Sequence, residues 1–159
     1  MKITIVCVGK IKEKFYRDAV EEYAKRLSRY CRLEIAEVAD EKTPDGASPL
    51  LEEQIKEKEA RRILEKIKED AYVCTLEIQG KKFSSEELAR WMEKLTVGGN
   101  SHLVFVIGGS LGLHSMVSER ADISLSFSDM TFPHQLMRVI LTEQIYRGFR
   151  IINGEPYHK

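Results

Sequence analysis

This sequence of 159 residues has no excess of positive or negative charge, and the balance excludes two classes of protein. Lys and Arg together number 25, and so do Asp and Glu. A polybasic binder of free nucleic acid is excluded, because such proteins need a cationic excess to displace counterions. An acidic disordered chain is also excluded, since 43% of the residues are apolar.

Cysteines are few, and long hydrophobic runs are absent. Cys7, Cys31 and Cys74 are widely spaced, with no CxxC or Cys/His cluster, which argues against a zinc site and against a disulfide framework. No stretch approaches the roughly 20 apolar residues of a membrane span, and the opening residues lack the pattern of a signal peptide. The sequence therefore predicts a cytoplasmic protein with no metal and no membrane partner.

Short apolar runs alternate with helical patterns along the chain. Five runs predict β-strands, at residues 3–8, 33–38, 72–78, 103–107 and 123–127. Amphipathic stretches predict helices at 13–30, at 51–69, after a capping box that begins at Ser84, and at 133–149. This alternation indicates an α/β fold with a mainly parallel sheet flanked by helices. Without a repeat or linker, residues 1–159 are predicted to form a single domain.

The same patterns give four local expectations. The spacing of apolar residues in the first helix predicts that Phe15 faces the core. The pair Gln79-Gly80 predicts the end of the third strand, and Thr131 is a candidate cap for the last helix. Residues 43–49 hold two of the four prolines and are a candidate mobile flap.

Three predicted strand ends carry groups suited to ligand binding, because ligands of open α/β sheets bind beyond the carboxyl ends of strands. One is the glycine-rich loop 108–112, whose spacing is neither GxGxxG nor that of a Walker A loop. Another is 127–132, where polar and large apolar side chains mix, and the third follows Leu76. Simple turns and helix capping are the alternatives at these places.

Polar side chains crowd the last predicted helix and the residues after it. Glu143 and Arg147 have the i,i+4 spacing of a surface salt bridge. Tyr157 and His158 indicate a C-terminal segment that packs on the protein or contacts a substrate, with a frayed end as the alternative. No nucleophile–base pair is recognisable, which favours a reaction whose cosubstrate supplies the chemistry.

Four motifs together closely resemble the RlmH-type family of SPOUT methyltransferases, which act on the large-subunit ribosomal RNA of bacteria. The motifs are VIGGSLG at 106–112, SFSDMTFPHQLMR at 126–138, EQIYRG at 143–148 and GEPYHK at 154–159. The first is shared by many SPOUT proteins, whereas the second and the last are far more specific. The resemblance covers the whole chain.

The resemblance implies that a methyl group passes from S-adenosylmethionine to ring nitrogen 3 of a pseudouridine in 23S rRNA, on assembled ribosomes. It also implies a SPOUT fold with a C-terminal trefoil knot, and a homodimer. The cofactor pocket of the family corresponds here to Leu76, Gly108, Phe127, Ser128, Asp129, Met130, Thr131 and Phe132. The candidates for contact with the substrate or for proton handling are Arg138, Arg147, Tyr157 and His158.

Three alternatives stay open. The chain could be a nucleotide or phosphate-sugar enzyme with 108–112 as its phosphate loop, or a ribosome-associated module without catalytic activity. It could also belong to the same family and act on uridine, which presents nearly the same edge as pseudouridine. The zero net charge favours a folded ribosomal surface over naked RNA, because a neutral protein gains little from phosphates alone.

Overall fold

Five parallel strands and five helices make up the computed structural model, which describes residues 1–159. The strands are β1 (Lys2–Val8), β2 (Arg32–Val38), β3 (Tyr72–Lys82), β4 (His102–Ile107) and β5 (Ile123–Ser126). The helices are α1 (Lys14–Leu27), α2 (Pro49–Glu65), α3 (Ser85–Val97), α4 (Ser115–Arg120) and α5 (His134–Ile152). The strand order is β2-β1-β4-β3-β5 and every pairing is parallel, which confirms the predicted α/β class.

Helices cover both faces of the sheet. On one face α1, α3 and α5 pack through residues such as Leu27, Met92 and Ile145. On the other face α2 and α4 pack through Ile63 and Val117. Residues 103–107 of the central strand β4 are at most 4% exposed, which explains their unbroken apolar run. No helix combines the length and apolar character needed to cross a membrane.

The predicted capping box begins α3. The Ser84 hydroxyl accepts a hydrogen bond from the Glu87 backbone N–H at 3.1 Å, and the Glu87 carboxylate accepts one from the Ser84 N–H at 2.6 Å. These two bonds satisfy backbone donors that the first turn of a helix leaves free. The start of α3 is thereby fixed beside the end of β3.

The predicted end of the third strand at Ile78 is wrong. Strand β3 continues to Lys82, and Leu76 and Lys81 both pair with Leu125, so residues 77–80 form a bulge. A Cβ on Gly80 would lie 2.6 Å from the backbone carbonyl carbon of Leu125. Gln79-Gly80 has the composition of a turn, but pairing with β5 resumes beyond it, and glycine permits the close approach.

Two smaller expectations are also wrong. Phe15 lies in the first turn of α1, is 64% exposed, and packs its ring against Tyr16 instead of the core. Pro133, and not Thr131, is the N-cap of α5, and no side-chain hydrogen bond closes that helix end.

Helix α4 was not predicted, because six residues are too few to show a helical period. Mobility of the loop 43–49 stays a prediction.

Candidate active site

A cavity of about 540 Å³ opens beside the bulge of β3, at the ends of β4 and β5. Its volume lies within the roughly 300–1,000 Å³ typical of small-molecule sites. Seven of the eight residues that the resemblance assigns to the cofactor line it: Leu76, Gly108, Phe127, Ser128, Met130, Thr131 and Phe132. The three places singled out in the sequence thus meet at one cavity: the ends of β4 and β5, and Leu76, which lies inside β3 where its bulge begins.

Asp129 is the exception among the eight. It does not line the cavity, its side chain is 80% exposed, and Oδ1 lies 2.6 Å from Nζ of Lys82. Its contribution in this structure is to tie the loop 127–132 to the end of β3.

The glycine loop brings bare backbone to the cavity. A Cβ on Gly108 would lie 3.0 to 3.1 Å from the Leu113 side chain and the Gly112 backbone. Gly112 has a φ of +84°, which disfavours any residue with a side chain. The loop therefore depends on glycine, and its backbone groups are available to a ligand that enters the cavity.

Three titratable side chains line the cavity: Lys56, Glu77 and His134. The contacts of Glu77 are distinctive, since three hydroxyl groups donate to its carboxylate. Thr75 and Ser124 donate to Oε2 at 2.8 and 2.9 Å, and Ser118 donates to Oε1 at 2.8 Å. This arrangement is not predictable from local sequence, because the serines lie more than 40 positions from Glu77.

His134 lies between two cavities. Besides lining the first, it lines a mostly polar cavity of about 370 Å³ at the ends of β1 and β2. Burial lowers the pKa of His134, and the nearby charge of Arg138 lowers it further. The imidazole is therefore neutral at neutral pH and has a nitrogen lone pair for a proton or a hydrogen bond.

Folding stability is expected to fall as the pH drops below about 6.5, the ordinary pKa of histidine. Burial also lowers the pKa of His102, so the unfolded chain binds protons at these two positions more readily than the folded one does. Burial raises the pKa of Glu59, which acts in the opposite direction at lower pH. Urea unfolding at pH 7.5 and 5.5 measures the change.

The comparison that isolates these histidines is a His102→Gln, His134→Gln double variant. It is expected to lose less stability than the wild type between the two pH values, because neither glutamine titrates. An equal loss in both proteins would contradict the assignment.

Arg138 is an internal residue. Its side chain is 2% exposed, donates from Nη1 to Glu37 at 2.6 Å and donates from Nη2 to the Gly9 carbonyl at 3.2 Å. The expectation that Arg138 contacts the substrate is not supported, because the guanidinium is buried and donates to Glu37 and to the Gly9 carbonyl. It holds the start of α5 against the ends of β1 and β2.

The other three catalytic candidates meet around Glu143. Arg147 donates to Glu143 Oε1 from Nε at 3.0 Å and from Nη2 at 2.6 Å, and the Tyr157 hydroxyl donates to the same oxygen at 2.9 Å. Nη1 of Arg147 lies 3.1 Å from Nδ1 of His158, whose Nε2 lies 2.8 Å from Glu86. We call Glu143, Arg147, Tyr157 and His158 the C-terminal cluster.

The protonation of this cluster follows from its donors. Arginine only donates, so Nδ1 of His158 accepts and Nε2 carries the hydrogen that faces Glu86. Burial and the bond to Glu143 raise the pKa of Tyr157 to about 12. Tyr157 is therefore a neutral hydrogen-bond donor at neutral pH, and not a base.

The segment that carries Tyr157 and His158 is anchored in the structure. Arg150 donates to Glu155 at 2.6 Å and to the Tyr30 hydroxyl at 3.1 Å, and Tyr30 donates to Glu155 at 2.9 Å. The Tyr157 ring packs edge-on against Tyr146, with centroids 4.9 Å apart. The prediction that this segment packs on the protein is confirmed.

The C-terminal cluster does not line the cavity of the same chain. Met137 lines the cavity, and Arg147 follows ten residues later on α5. At 1.5 Å per residue the two positions are about 15 Å apart along the helix. The fold thus assembles the cofactor residues and the C-terminal cluster as two separate groups.

A family model described as "Predicted SPOUT methyltransferase" matches residues 1–158. The chain belongs to the SPOUT methyltransferase family. Two relatives, from Clostridium beijerinckii and Acetivibrio thermocellus, are 60% and 57% identical over 159 residues, with full coverage of both chains. Each is named ribosomal RNA large subunit methyltransferase H. A relative from Methanococcus maripaludis is 62% identical over the same span and is named "Putative ribosomal RNA large subunit methyltransferase H".

Membership of the SPOUT family gives the cavity a chemical meaning. SPOUT methyltransferases need a pocket for a methyl donor, and the site between the bulge of β3 and the ends of β4 and β5 fits that need in volume and in its glycine-rich backbone wall. Glu77 and His134 belong to this site, although the sequence motifs alone did not single them out as site residues.

Proposed function

We propose that this SPOUT protein transfers a methyl group from S-adenosylmethionine to nitrogen 3 of a pseudouridine in large-subunit rRNA. The observation that carries the proposal is the cavity, which gathers seven of the eight cofactor candidates in one place. The names of the full-length relatives support large-subunit rRNA as the substrate. The family resemblance carried by the motifs at 126–138 and 154–159 implies pseudouridine as the base.

The residues of the cavity suit this methyl donor. Phe127, Met130 and Phe132 offer apolar surface for a purine, and the backbone of 108–112 offers hydrogen-bonding groups at close range. When bound there, S-adenosylmethionine would supply an electrophilic methyl group on a sulfonium. The task of the protein is then to align that methyl with the acceptor nitrogen and to exclude water.

The C-terminal cluster supplies the groups that the acceptor needs. Nitrogen 3 of pseudouridine carries a weakly acidic proton, which must leave as the methyl group arrives. Arg147 stabilises the negative charge that develops on the base as the proton leaves to solvent, and His158, whose Nδ1 accepts from Arg147, orients the guanidinium. Tyr157, which keeps its proton, holds Glu143 and Arg147 in place.

Two copies of the chain are needed to build one such site. Reacting atoms must come within about 3–3.5 Å of each other, whereas about 15 Å of helix separates the cavity from Arg147 in one chain. In the proposed homodimer the C-terminal cluster of one copy faces the cavity of its partner. The trefoil knot is proposed on the family resemblance alone.

The proposed substrate is rRNA within the assembled ribosome, in the cytoplasm. A chain with 25 basic and 25 acidic residues gains little affinity from phosphates alone. A folded ribosomal surface adds contacts of shape and hydrogen bonding that short RNA lacks.

Ribosomes from a strain that lacks the gene provide the test. They are incubated with the protein and labelled S-adenosylmethionine, and the modified nucleoside is mapped by mass spectrometry. We expect one methyl group on nitrogen 3 of a pseudouridine in large-subunit rRNA. Absence of label from that RNA contradicts the proposed function, and label on a uridine contradicts the proposed base. Faster reaction of a short isolated RNA contradicts the proposed ribosomal substrate.

A further inference from the structure

Glu77 is the only acidic side chain that lines the 540 Å³ cavity. It stands in the bulge of residues 77–80, where β3 leaves its pairing with β5 before returning to it. Bulges of this kind direct side chains toward sites at strand ends. The position of Glu77 in the cavity wall therefore follows from the same irregularity that requires Gly80.

The carboxylate of Glu77 is held in a fixed orientation. Its three hydroxyl donors come from three elements, Thr75 on β3, Ser118 on α4 and Ser124 on β5. The Thr75 and Ser124 oxygens are also 2.6 Å apart, and because each hydroxyl has one hydrogen, a bond between these two would replace one of the bonds to Oε2. A carboxylate oriented in this way needs no rearrangement to bind a ligand, which is the arrangement that favours a strong electrostatic contact.

Glu77 has no cationic partner within the protein. Other carboxylates near the sheet are paired, such as Glu37 with Arg138 and Glu143 with Arg147, but Glu77 takes part in no salt bridge. Its hydroxyl contacts orient the negative charge without neutralising it. A negative charge in the wall of a small-molecule cavity favours a ligand that brings a positive one.

We propose that Glu77 binds a positively charged group of the methyl donor and so makes the cavity selective for charged adenosine derivatives. This inference rests on the proposed use of S-adenosylmethionine, which carries a sulfonium and an ammonium. If the sulfonium is the partner, methyl transfer removes the attraction, because the product is a neutral thioether. Selection by Glu77 then also assists release of the product.

A purely structural role for Glu77 has a different signature. If the carboxylate serves only to join α4 to β3 and β5, its replacement lowers the melting temperature and weakens all adenosine ligands alike. Selectivity between charged and uncharged ligands is the readout that separates the two roles.

The test is titration calorimetry of the wild type and Glu77→Gln with three ligands. S-adenosylmethionine carries both cations, S-adenosylhomocysteine only the ammonium, and 5′-methylthioadenosine neither. Glu77→Gln is expected to weaken S-adenosylmethionine on the order of tenfold, as for loss of a charged hydrogen-bond partner, and to leave 5′-methylthioadenosine unchanged. S-adenosylhomocysteine identifies the cation: unchanged affinity indicates the sulfonium, and weakened affinity the ammonium. The control is Glu119→Gln, an exposed glutamate beside Ser118, which should alter none of the three.

Unchanged affinity for S-adenosylmethionine, or equal weakening of all three ligands, overturns the role of Glu77. A wild-type protein that binds none of the three overturns the proposed function instead, and this inference with it. If Glu77→Gln fails to fold, Glu77→Asp keeps the charge one methylene further from the ligand. It should weaken S-adenosylmethionine more than 5′-methylthioadenosine, and equal weakening of the two overturns the proposal.

Discussion

Replacing His158 with alanine is expected to lower kcat about a hundredfold, the size of effect typical of losing one electrostatic contact to the transition state. The ring joins Arg147 to Glu86 through contacts of 3.1 and 2.8 Å, so its loss frees the Arg147 guanidinium from the orientation proposed for catalysis. The Kd for S-adenosylmethionine should not change, because His158 does not line the cavity of its own chain and is proposed to act on the acceptor base. Single-turnover kinetics on ribosomes, together with calorimetry of the methyl donor, measures both quantities.

The control for this variant is Lys159→Ala, which changes the exposed neighbour and should leave kcat unaltered. Tyr157→Phe removes one hydroxyl that donates to Glu143 and should reduce kcat less than His158→Ala does. Full turnover of both Tyr157→Phe and His158→Ala under saturating substrate would contradict the assignment of the C-terminal cluster to catalysis.

The largest effect on stability is expected from Gly80→Ala. The new Cβ would lie 2.6 Å from the Leu125 carbonyl carbon and 2.8 Å from its nitrogen, and backbone atoms of a paired strand cannot turn aside. Overpacking of this kind costs about 3 kcal/mol. For a chain of this size, that lowers Tm by roughly 6–12 °C. Binding of S-adenosylmethionine should also weaken, because β5 leads directly into the cavity loop 127–132.

Gly46→Ala serves as the control, since a Cβ there has no atom within 4 Å. Its φ of +68° still disfavours alanine, by about 1 kcal/mol. Thermal melts of the two variants give the comparison. If Gly80→Ala is no less stable than Gly46→Ala, the close approach of β3 and β5 at the bulge is wrong.

The sequence predicted those strands and helix ends that are determined by residues close together in the chain. The unbroken run 103–107 marked a strand buried on both faces, because a strand covered on both sides has no polar alternation. Ser84 and Glu87 marked a helix start through their three-residue spacing. The strand ends at Gly108 and Phe127 converge because parallel strands end on one edge, a rule that needs no knowledge of contacts, whereas Leu76 reaches the same cavity from the bulge inside β3.

Features set by distant contacts escaped prediction. Gln79-Gly80 has turn composition, and only pairing with Leu125 shows that β3 continues. The role of Glu77 depends on hydroxyls from α4 and β5. Arg138 ends the motif at 126–138 and was therefore a candidate for contact with the substrate. The fold instead buries it against Glu37, which lies 101 positions away in the sequence.

Mixing two inactive variants tests most directly whether the site is shared between two copies. Gly108→Val fills the glycine loop of the cavity, where a Cβ already meets Leu113 and Gly112 at 3.0 to 3.1 Å, and His158→Ala disables the C-terminal cluster. Each protein alone should transfer little methyl to large-subunit rRNA. After mixed refolding in equal amounts, activity should reach about a quarter of the wild-type value, because half of randomly formed dimers are mixed and each holds one complete site. A mixture of folded proteins that stays as inactive as its components would contradict the shared site.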